Sequence, residues 1–294
     1  MKQTCHSEFG KIKLVFIKKA ENAFINDQKI GSEWQSLNFL SKPNLQSATQ
    51  EYSTFENLLK KDGAEVSHFP ESGNLTLDSI YCRDASIATD FGMIICNMGK
   101  PAREHEPAAQ QAYFEKSGIK ILGVIQSPGT VEGGDVAWLD GKTLAIGHTY
   151  RTNKNGIDQI KQLLAPHGVN IITVDLPHYK GSSDVFHLMS ILSPVDKNLA
   201  VVYSPLMPIS FRNELLDRGF DLVEVQDAEF ETMGCNVLAI APRECLIVKG
   251  NPNTKMKLEK TGCTVHEYDG HDISMKGGGG PTCLTRPIER MVES

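Results

Sequence analysis

The sequence predicts an α/β chain built from five copies of one strand–strand–helix–strand unit, closed into a ring with its helices outside. Three observations lead there. The order of elements repeats along the chain, the spacing of the repeats is nearly constant, and the joints between units carry polar residues of unlike chemistry where the strands are apolar.

The units are read from short apolar or alternating runs for strands, 3.6-residue spacing for helices, and Gly, Asp and Asn for punctuation. The opening unit has a strand over Lys13–Ile17, a helix over Tyr52–Lys61 and a strand over Glu65–Phe69. The next has strands over Ala85–Asp90 and Met93–Cys96 about the turn Phe91-Gly92, a helix over Glu106–Ser117 and a strand over Ile119–Ile125. Then come Asp135–Trp138, the turn Asp140-Gly141, Leu144–Gly147, a helix over Ile157–Leu164 and the strand Asn170–Val174. A further copy runs through Met189–Leu192, Ala200–Tyr203, the helix Phe211–Arg218 and Asp221–Val225. The last has Val237–Ile240, Cys245–Val248, the helix Lys255–Lys260 and Thr264–Tyr268.

Asp84, Asp135, His187, Cys235 and Cys283 mark the joints and recur about every 50 residues, within the range of repeat arrays. An ordinary mixed sheet with accidental periodicity is the competing arrangement, and five concordant copies weigh against it. A ring also leaves only short, protected sheet edges. The evenness of the repeat argues for a single domain over 1–294. Between the first strand and its helix, residues 31–50 show no strong pattern; with Trp34 and Phe39 they form either a loop over a site or packed surface.

Gly277-Gly278-Gly279-Gly280-Pro281-Thr282 leads directly into Cys283. Glycine runs serve where the backbone takes positive φ or approaches a neighbour closely. The thiol that follows is either presented to a ligand or simply buried, as free Cys commonly is. Ring closure favours presentation, because equivalent joints then lie around one mouth. Arg83-Asp84, Glu132-Gly133-Gly134-Asp135, Asp184–His187, Cys235-Asn236 and Cys283 would converge there. A thiol, an imidazole and carboxylates are what covalent thiol catalysis requires: a nucleophile, a proton carrier and an acid that orients it. Several acids around one thiol suit a cationic electrophile. Carboxylates can hold a planar guanidinium through forked hydrogen bonds and align its central carbon with the sulfur. A bound cation, or a nearby arginine such as Arg286, would favour the thiolate; the acids alone would oppose it.

On Arg83-Asp84, Glu132-Gly133-Gly134-Asp135, His187-Leu188 and the Gly-rich run before Cys283, the chain resembles the guanidine-modifying superfamily of arginine deiminases, dimethylarginine dimethylaminohydrolases and glycine amidinotransferases. The likeness runs from about Lys13 to Arg286. It implies a five-bladed α/β propeller (pentein) of pseudo-fivefold symmetry, with no metal and no cofactor. By position it implies Cys283 as the nucleophile and His187 as the group that protonates the leaving amine and then activates water. Glu132 would bond the histidine and Asp84 the guanidinium nitrogens. Asp135 would stand with the substrate-binding set or support its loop. Arg151, in Arg151-Thr152-Asn153, and Arg103 would hold a substrate carboxylate, on looser matches. Arginine deiminases and amidinotransferases follow the His and its hydrophobic neighbour with an Asp; here the chain reads His187-Leu188-Met189, as in the dimethylarginine hydrolases. A less polar wall would tolerate N-methyl groups. The expected reaction is hydrolysis of arginine or N-methylated arginine to citrulline and an amine or ammonia. Transfer of the amidino group to an amine, and a non-catalytic propeller, are the alternatives.

Composition agrees. A net charge of −6 without a basic cluster argues against nucleic acid as a partner. Met1–Lys19 lacks the apolar core of a signal peptide, and no stretch reaches the roughly 18 apolar residues of a membrane span. Seven cysteines without CxxC spacing point to a reducing cytoplasm, with neither disulfides nor zinc. The tetraglycine lacks the Lys-Ser/Thr of a phosphate loop. The partner expected is a small guanidino compound, with a homodimer one option for assembly. His105, His148, His178 and His271 have no partner motif, and Cys235 reads as structural.

Overall fold

The computed structural model describes residues 1–61 and 63–293. Its strands are β1 (Lys2–Thr4), β2 (Lys11–Ile17), β3 (Glu65–His68), β4 (Ser86–Thr89), β5 (Gly92–Ile95), β6 (Ile121–Val124), β7 (Val136–Asp140) and β8 (Thr143–His148). They continue as β9 (Asn170–Asp175), β10 (Leu192–Asp196), β11 (Leu199–Val202), β12 (Asp221–Glu224), β13 (Leu238–Ala241), β14 (Glu244–Val248), β15 (Thr264–Tyr268) and β16 (Thr285–Val292). The α-helices are α1 (Ala20–Phe24), α2 (Asp27–Glu33), α3 (Leu45–Lys60), α4 (Glu106–Lys116), α5 (Lys154–Leu164), α6 (Ile209–Asp217), α7 (Asp227–Phe230) and α8 (Pro252–Lys260).

These strands form five sheets. Four have three strands in one pattern: an antiparallel hairpin, then a helix, then a third strand parallel to the second. The parallel pairing requires a crossover, which α4, α5, α6 and α8 supply. In the fifth sheet the hairpin partner comes from the other end of the chain. β16 pairs antiparallel with β2, and β2 pairs parallel with β3 across α3, while β1 adds a fourth strand on β16. Contacts between sheets run in a cycle. β16 touches β4, and Trp138 of β7 donates its indole N–H to the Ala88 carbonyl at 3.2 Å. β7 meets the 3₁₀ turn Leu188–Ser190 that leads to β10, β10 meets β13, and β13 meets β2.

β16 is absent from the sequence reading for a physical reason. Arg286 and Arg290 alternate with apolar residues and look like a solvated edge, yet both are buried, 5% and 1% exposed. Pro287 sits at a register shift, where a strand tolerates it. Helices α3, α5 and α8 start earlier than periodicity predicts because their first turns are set by caps or by proline. Asn44 accepts from the Ser47 N–H at 2.8 Å, Asn153 accepts from the Gly156 N–H at 2.9 Å, and Pro252 begins α8. In α5, Ile157, Ile160 and Leu164 bury one stripe against the sheet; each such side chain contributes about 1.5–3 kcal/mol. Residues 31–50 are part helix: α2 ends and α3 begins within them.

Candidate active site

Each candidate side chain sits where one unit hands over to the next. Asp84 precedes β4, Glu132 precedes the 3₁₀ turn Gly133–Asp135 that enters β7, and His187 caps the turn into β10. Cys283 follows the tetraglycine and precedes β16.

The glycines are dictated by crowding. A Cβ on Gly279 would lie 2.3 Å from the Tyr81 ring, and Gly278 has φ +80. Only a bare backbone lets this segment thread between Tyr81 and Asn236 and deliver the thiol. Gly134 matters likewise: a Cβ there would lie 2.5 Å from His187 Nδ1 and 2.8 Å from Asp84 Oδ1.

His187 and Glu132 form a buried ion pair, with Nε2 donating to Oε2 at 2.9 Å. Glu132 is wholly buried, and its Oε1 accepts the Lys100 backbone N–H at 2.9 Å and Arg151 at 3.4 Å. Burial alone would raise the Glu132 carboxyl, but the His187 bond and charge, with Arg151 and Arg103, hold it well below the usual carboxylate range. Burial alone would lower His187. The charge of Asp135, the bond to Glu132 and the charge of Asp84 instead push it up to about 9. At neutral pH the imidazole is therefore charged, and both ring nitrogens carry protons. Asp84, Glu132 and His187 bring their polar atoms within 4.8 Å of one another.

Asp84 Oδ1 accepts the Gly134 N–H at 2.9 Å, and Oδ2 accepts from Arg103 at 2.5 Å. Arg103 is locked from the other side by a fork onto Glu106, two bonds of 2.8 Å, and by the Tyr81 carbonyl at 2.8 Å. Most of the Arg103 N–H groups are thus engaged and fix Asp84, while the side chain still lines the pocket beside Cys283 and His187. Arg151 makes one long contact, to Glu132, and turns toward the pocket.

Asp135 bonds within the framework around the site. Its Oδ2 accepts from the Thr149 hydroxyl at 2.7 Å and its Oδ1 from the Leu188 N–H at 3.0 Å. It lines no part of the pocket; it pins the backbone that carries His187, and burial pushes it up to about 6. Arg286 donates to the Arg83 carbonyl at 2.5 Å and lies beneath the site, and the charge of Arg83 favours the thiolate.

Cys283 is part-exposed on the cleft surface. Its Sγ receives the Asn236 amide at 3.4 Å, with the Thr282 hydroxyl 3.9 Å away. Burial pushes the thiol up and the charge of Asp84 adds to that; Thr282, Asn236 and Arg83 oppose it. Asn236 also accepts from the Thr282 N–H and hydroxyl, at 3.0 and 2.9 Å, which fixes the turn before the sulfur. Sequence reasoning passed over Asn236 in favour of its neighbour Cys235, which is buried with its thiol on the Val201 carbonyl. The signal was present, since Asn236 occupies the fourth joint.

Two spaces meet at Cys283 and His187. The inner pocket, about 20 Å³, is polar, lined by Asp78, Asp84, Lys100, Arg103 and Arg151. The outer cleft, about 230 Å³, is walled largely by Phe186, Met189, Tyr179, Phe230 and Met233. Residues 31–50 contribute Leu37, Asn38 and Leu40 to that cleft, and the Lys100 ammonium holds the Leu37 carbonyl at 2.9 Å while pairing with Asp78 at 2.6 Å. His148 and His178, without a partner in the sequence reading, bond to Asp175 and Tyr150 away from the site.

Residues 20–290 match the model of the family described as N,N dimethylarginine dimethylhydrolase, eukaryotic. An uncharacterised Bacillus subtilis protein, YkgA, is 27% identical over 98% of this chain and 96% of its own length. The N(G),N(G)-dimethylarginine dimethylaminohydrolase of Pseudomonas aeruginosa is 25% identical over 84% of this chain and 90% of its own. A structure of a variant of that enzyme with citrulline superposes with a TM-score of 0.76 at 21% identity, over 94% of this chain and 98% of the other. The amidinotransferase SxtG of Microseira wollei shares the fold, with a TM-score of 0.77 at 15% identity over 98% and 97% of the two chains. The joints, the glycine-threaded thiol and the match over nearly the whole chain agree, and the protein belongs to the N,N dimethylarginine dimethylhydrolase family.

Proposed function

We propose that this chain is a thiol-dependent amidine hydrolase that cleaves a C–N bond in the guanidinium of arginine or N-methylated arginine. We read its five sheets as the blades of one closed propeller domain with pseudo-fivefold symmetry, supported by the cyclic contacts and by β16 completing the first sheet. The observation that carries the functional reading is the meeting of a thiol, a charged imidazole–carboxylate pair and Asp84 at one polar pocket.

The substrate guanidinium enters beside Asp84, and its charge offsets the burial that keeps Cys283 protonated. The thiol gives up its proton to solvent water, and the sulfur then attacks the guanidinium carbon and forms a tetrahedral adduct. The C–N bond breaks as His187 gives its proton to the departing nitrogen, leaving an S-alkylthiouronium on Cys283 and a neutral imidazole. Water then loses a proton to His187 and attacks the same carbon. The C–S bond breaks, releasing the ureido product and the sulfur. Glu132 holds the imidazole and stabilises its charged form, and Arg103 and Gly134 keep Asp84 in place. Arg151 takes the substrate carboxylate. The apolar wall that includes Phe186 and Met189, where Met189 stands in place of an acid, accommodates methyl groups on the leaving nitrogen.

The test is product release from arginine, mono- and dimethylarginine, agmatine and guanidinoacetate, with ammonia and alkylamines measured separately. Citrulline with dimethylamine supports the reading. A guanidino product formed at the expense of citrulline when ornithine or glycine is added would assign the chain as a transferase instead.

A further inference from the structure

Beneath the active site lies a group of charges the chemistry does not use. Arg83, Arg286 and Arg290 are 1%, 5% and 1% exposed. They belong to the joint before β4 and to β16, so they come from two sides of one seam. Arg286 donates to the Arg83 carbonyl, and Arg290 donates one terminal nitrogen to the Gly10 and Ala239 carbonyls at 2.6 and 2.8 Å.

One carboxylate answers this cluster. Glu8 accepts from Arg83 at 2.8 Å, and its other oxygen takes the Trp138 N–H at 3.3 Å. Three guanidiniums against one carboxylate leave an excess of positive charge away from water. Burial and the neighbouring guanidiniums pull Arg286 and Arg290 down to about 10. Among the described residues, seven buried side-chain polar atoms have no hydrogen-bond partner. Four belong here: Arg83 Nε, Arg286 Nε, Arg290 Nε and an Arg290 terminal nitrogen. Water would satisfy the N–H groups but not the charge, and uncompensated buried charge is strongly unfavourable.

We infer that Arg83, Arg286 and Arg290 form a binding site for a small monovalent anion of halide size, under the floor of the active site. The charge calls for an anion, and the four unpartnered nitrogens supply its ligands. Burial favours a weakly hydrated ion: one entering among buried side chains must shed its water, which disfavours sulfate and phosphate relative to chloride or bromide. The site joins the catalytic floor directly, because the Arg83 N–H donates to the Cys283 carbonyl at 3.2 Å and Arg83 is the arginine whose field reaches the thiol.

Crystals of the full chain soaked in sodium bromide, with anomalous differences collected at the bromine edge, provide the direct test. A peak between Arg83 Nε, Arg286 Nε and the Arg290 guanidinium supports the site. In parallel, thermal unfolding is followed in bromide and in gluconate at equal ionic strength. Above the dissociation constant, each tenfold rise in bromide should favour the folded state about tenfold, while gluconate, too large to enter, should not. Arg290→Met should remove both the peak and the bromide dependence. Glu8→Gln, which deletes the competing carboxylate, should lower the bromide concentration needed. Superimposable bromide and gluconate curves with no buried anomalous peak would overturn the inference, even if Arg290→Met fails to fold, because both readouts use the unaltered protein.

Discussion

Arg83 and Asp84 are neighbours in sequence, yet they serve opposite environments. Asp84 faces a pocket in which each acid is answered from within: Glu132 by His187 and Arg151, Asp84 by Arg103 and the Gly134 N–H. Arg83 faces a cluster in which positive charge outnumbers its internal partner and four nitrogens lack one. Cys283 and Arg286, three residues apart, divide in the same way. The same joints thus build a preorganised pocket above and an undercompensated cluster of buried charge beneath. Preorganised partners hold a catalytic geometry that changes little during reaction; missing partners mark a place for something from outside.

The contrast predicts that substitutions above the joints act on turnover and those beneath on stability. The largest effect belongs to Cys283→Ala and His187→Ala. Each should lower kcat by about 10⁴-fold or more, and the double variant should lose little beyond either, because the two act as one unit. Steady-state assays with arginine-type substrates and unchanged circular dichroism would establish this; additive losses would break the idea of a unit.

Asp84→Asn comes next. It keeps a hydrogen-bond acceptor for Gly134 but removes the charge that answers Arg103 and the substrate, and should lower kcat/KM by about 10²–10³-fold. A similar loss for agmatine and arginine would locate the defect at the guanidinium. Arg151→Ala should act at the other end, raising KM about 10- to 100-fold for substrates bearing an α-carboxylate and leaving agmatine little changed. If wild-type enzyme already prefers agmatine to arginine, Arg151 does not hold a carboxylate.

The smallest effect is on the pH dependence of stability. His187 has a folded-state value raised to about 9, above its unfolded value, so its pairing contributes fully below about pH 6.5 and is lost as pH rises through 9. Urea unfolding should show a fall of up to about 3 kcal/mol between pH 6 and 10 that His187→Gln lacks. Glu132 has the opposite sign. Its depressed value contributes stability above its unfolded range, lost on acidification. An equal alkaline slope in wild type and His187→Gln would place the titrating pair elsewhere.

Much of this architecture was legible before any coordinates. Most strands and helices followed from periodicity, and the joints from polar residues at even spacing; the strand read at Met189–Leu192 is instead a 3₁₀ turn, and β10 begins only at Leu192. What escaped was anything set by a contact across the seam. β16 reads as charged because its arginines point into a buried cluster, and Pro287 suggests a break where the structure has a bulge. Asn236 gives no local sign of touching a sulfur 47 residues away. Nor does Arg103 give a local sign of its fork onto Glu106, one helical turn further on.

The chain alone determined that polar residues of unlike chemistry recur at equivalent places, because the side-chain period and the repeat spacing are written locally. Only the tertiary structure decided their partners. Whether Asp135 meets a ligand or pins Leu188, whether Arg286 or Arg83 reaches the thiol, and where positive charge is left in excess all depend on distances of a few ångströms between distant joints. Electrostatic interaction in a buried site is governed by those distances and by the exclusion of water, and neither is encoded in sequence separation.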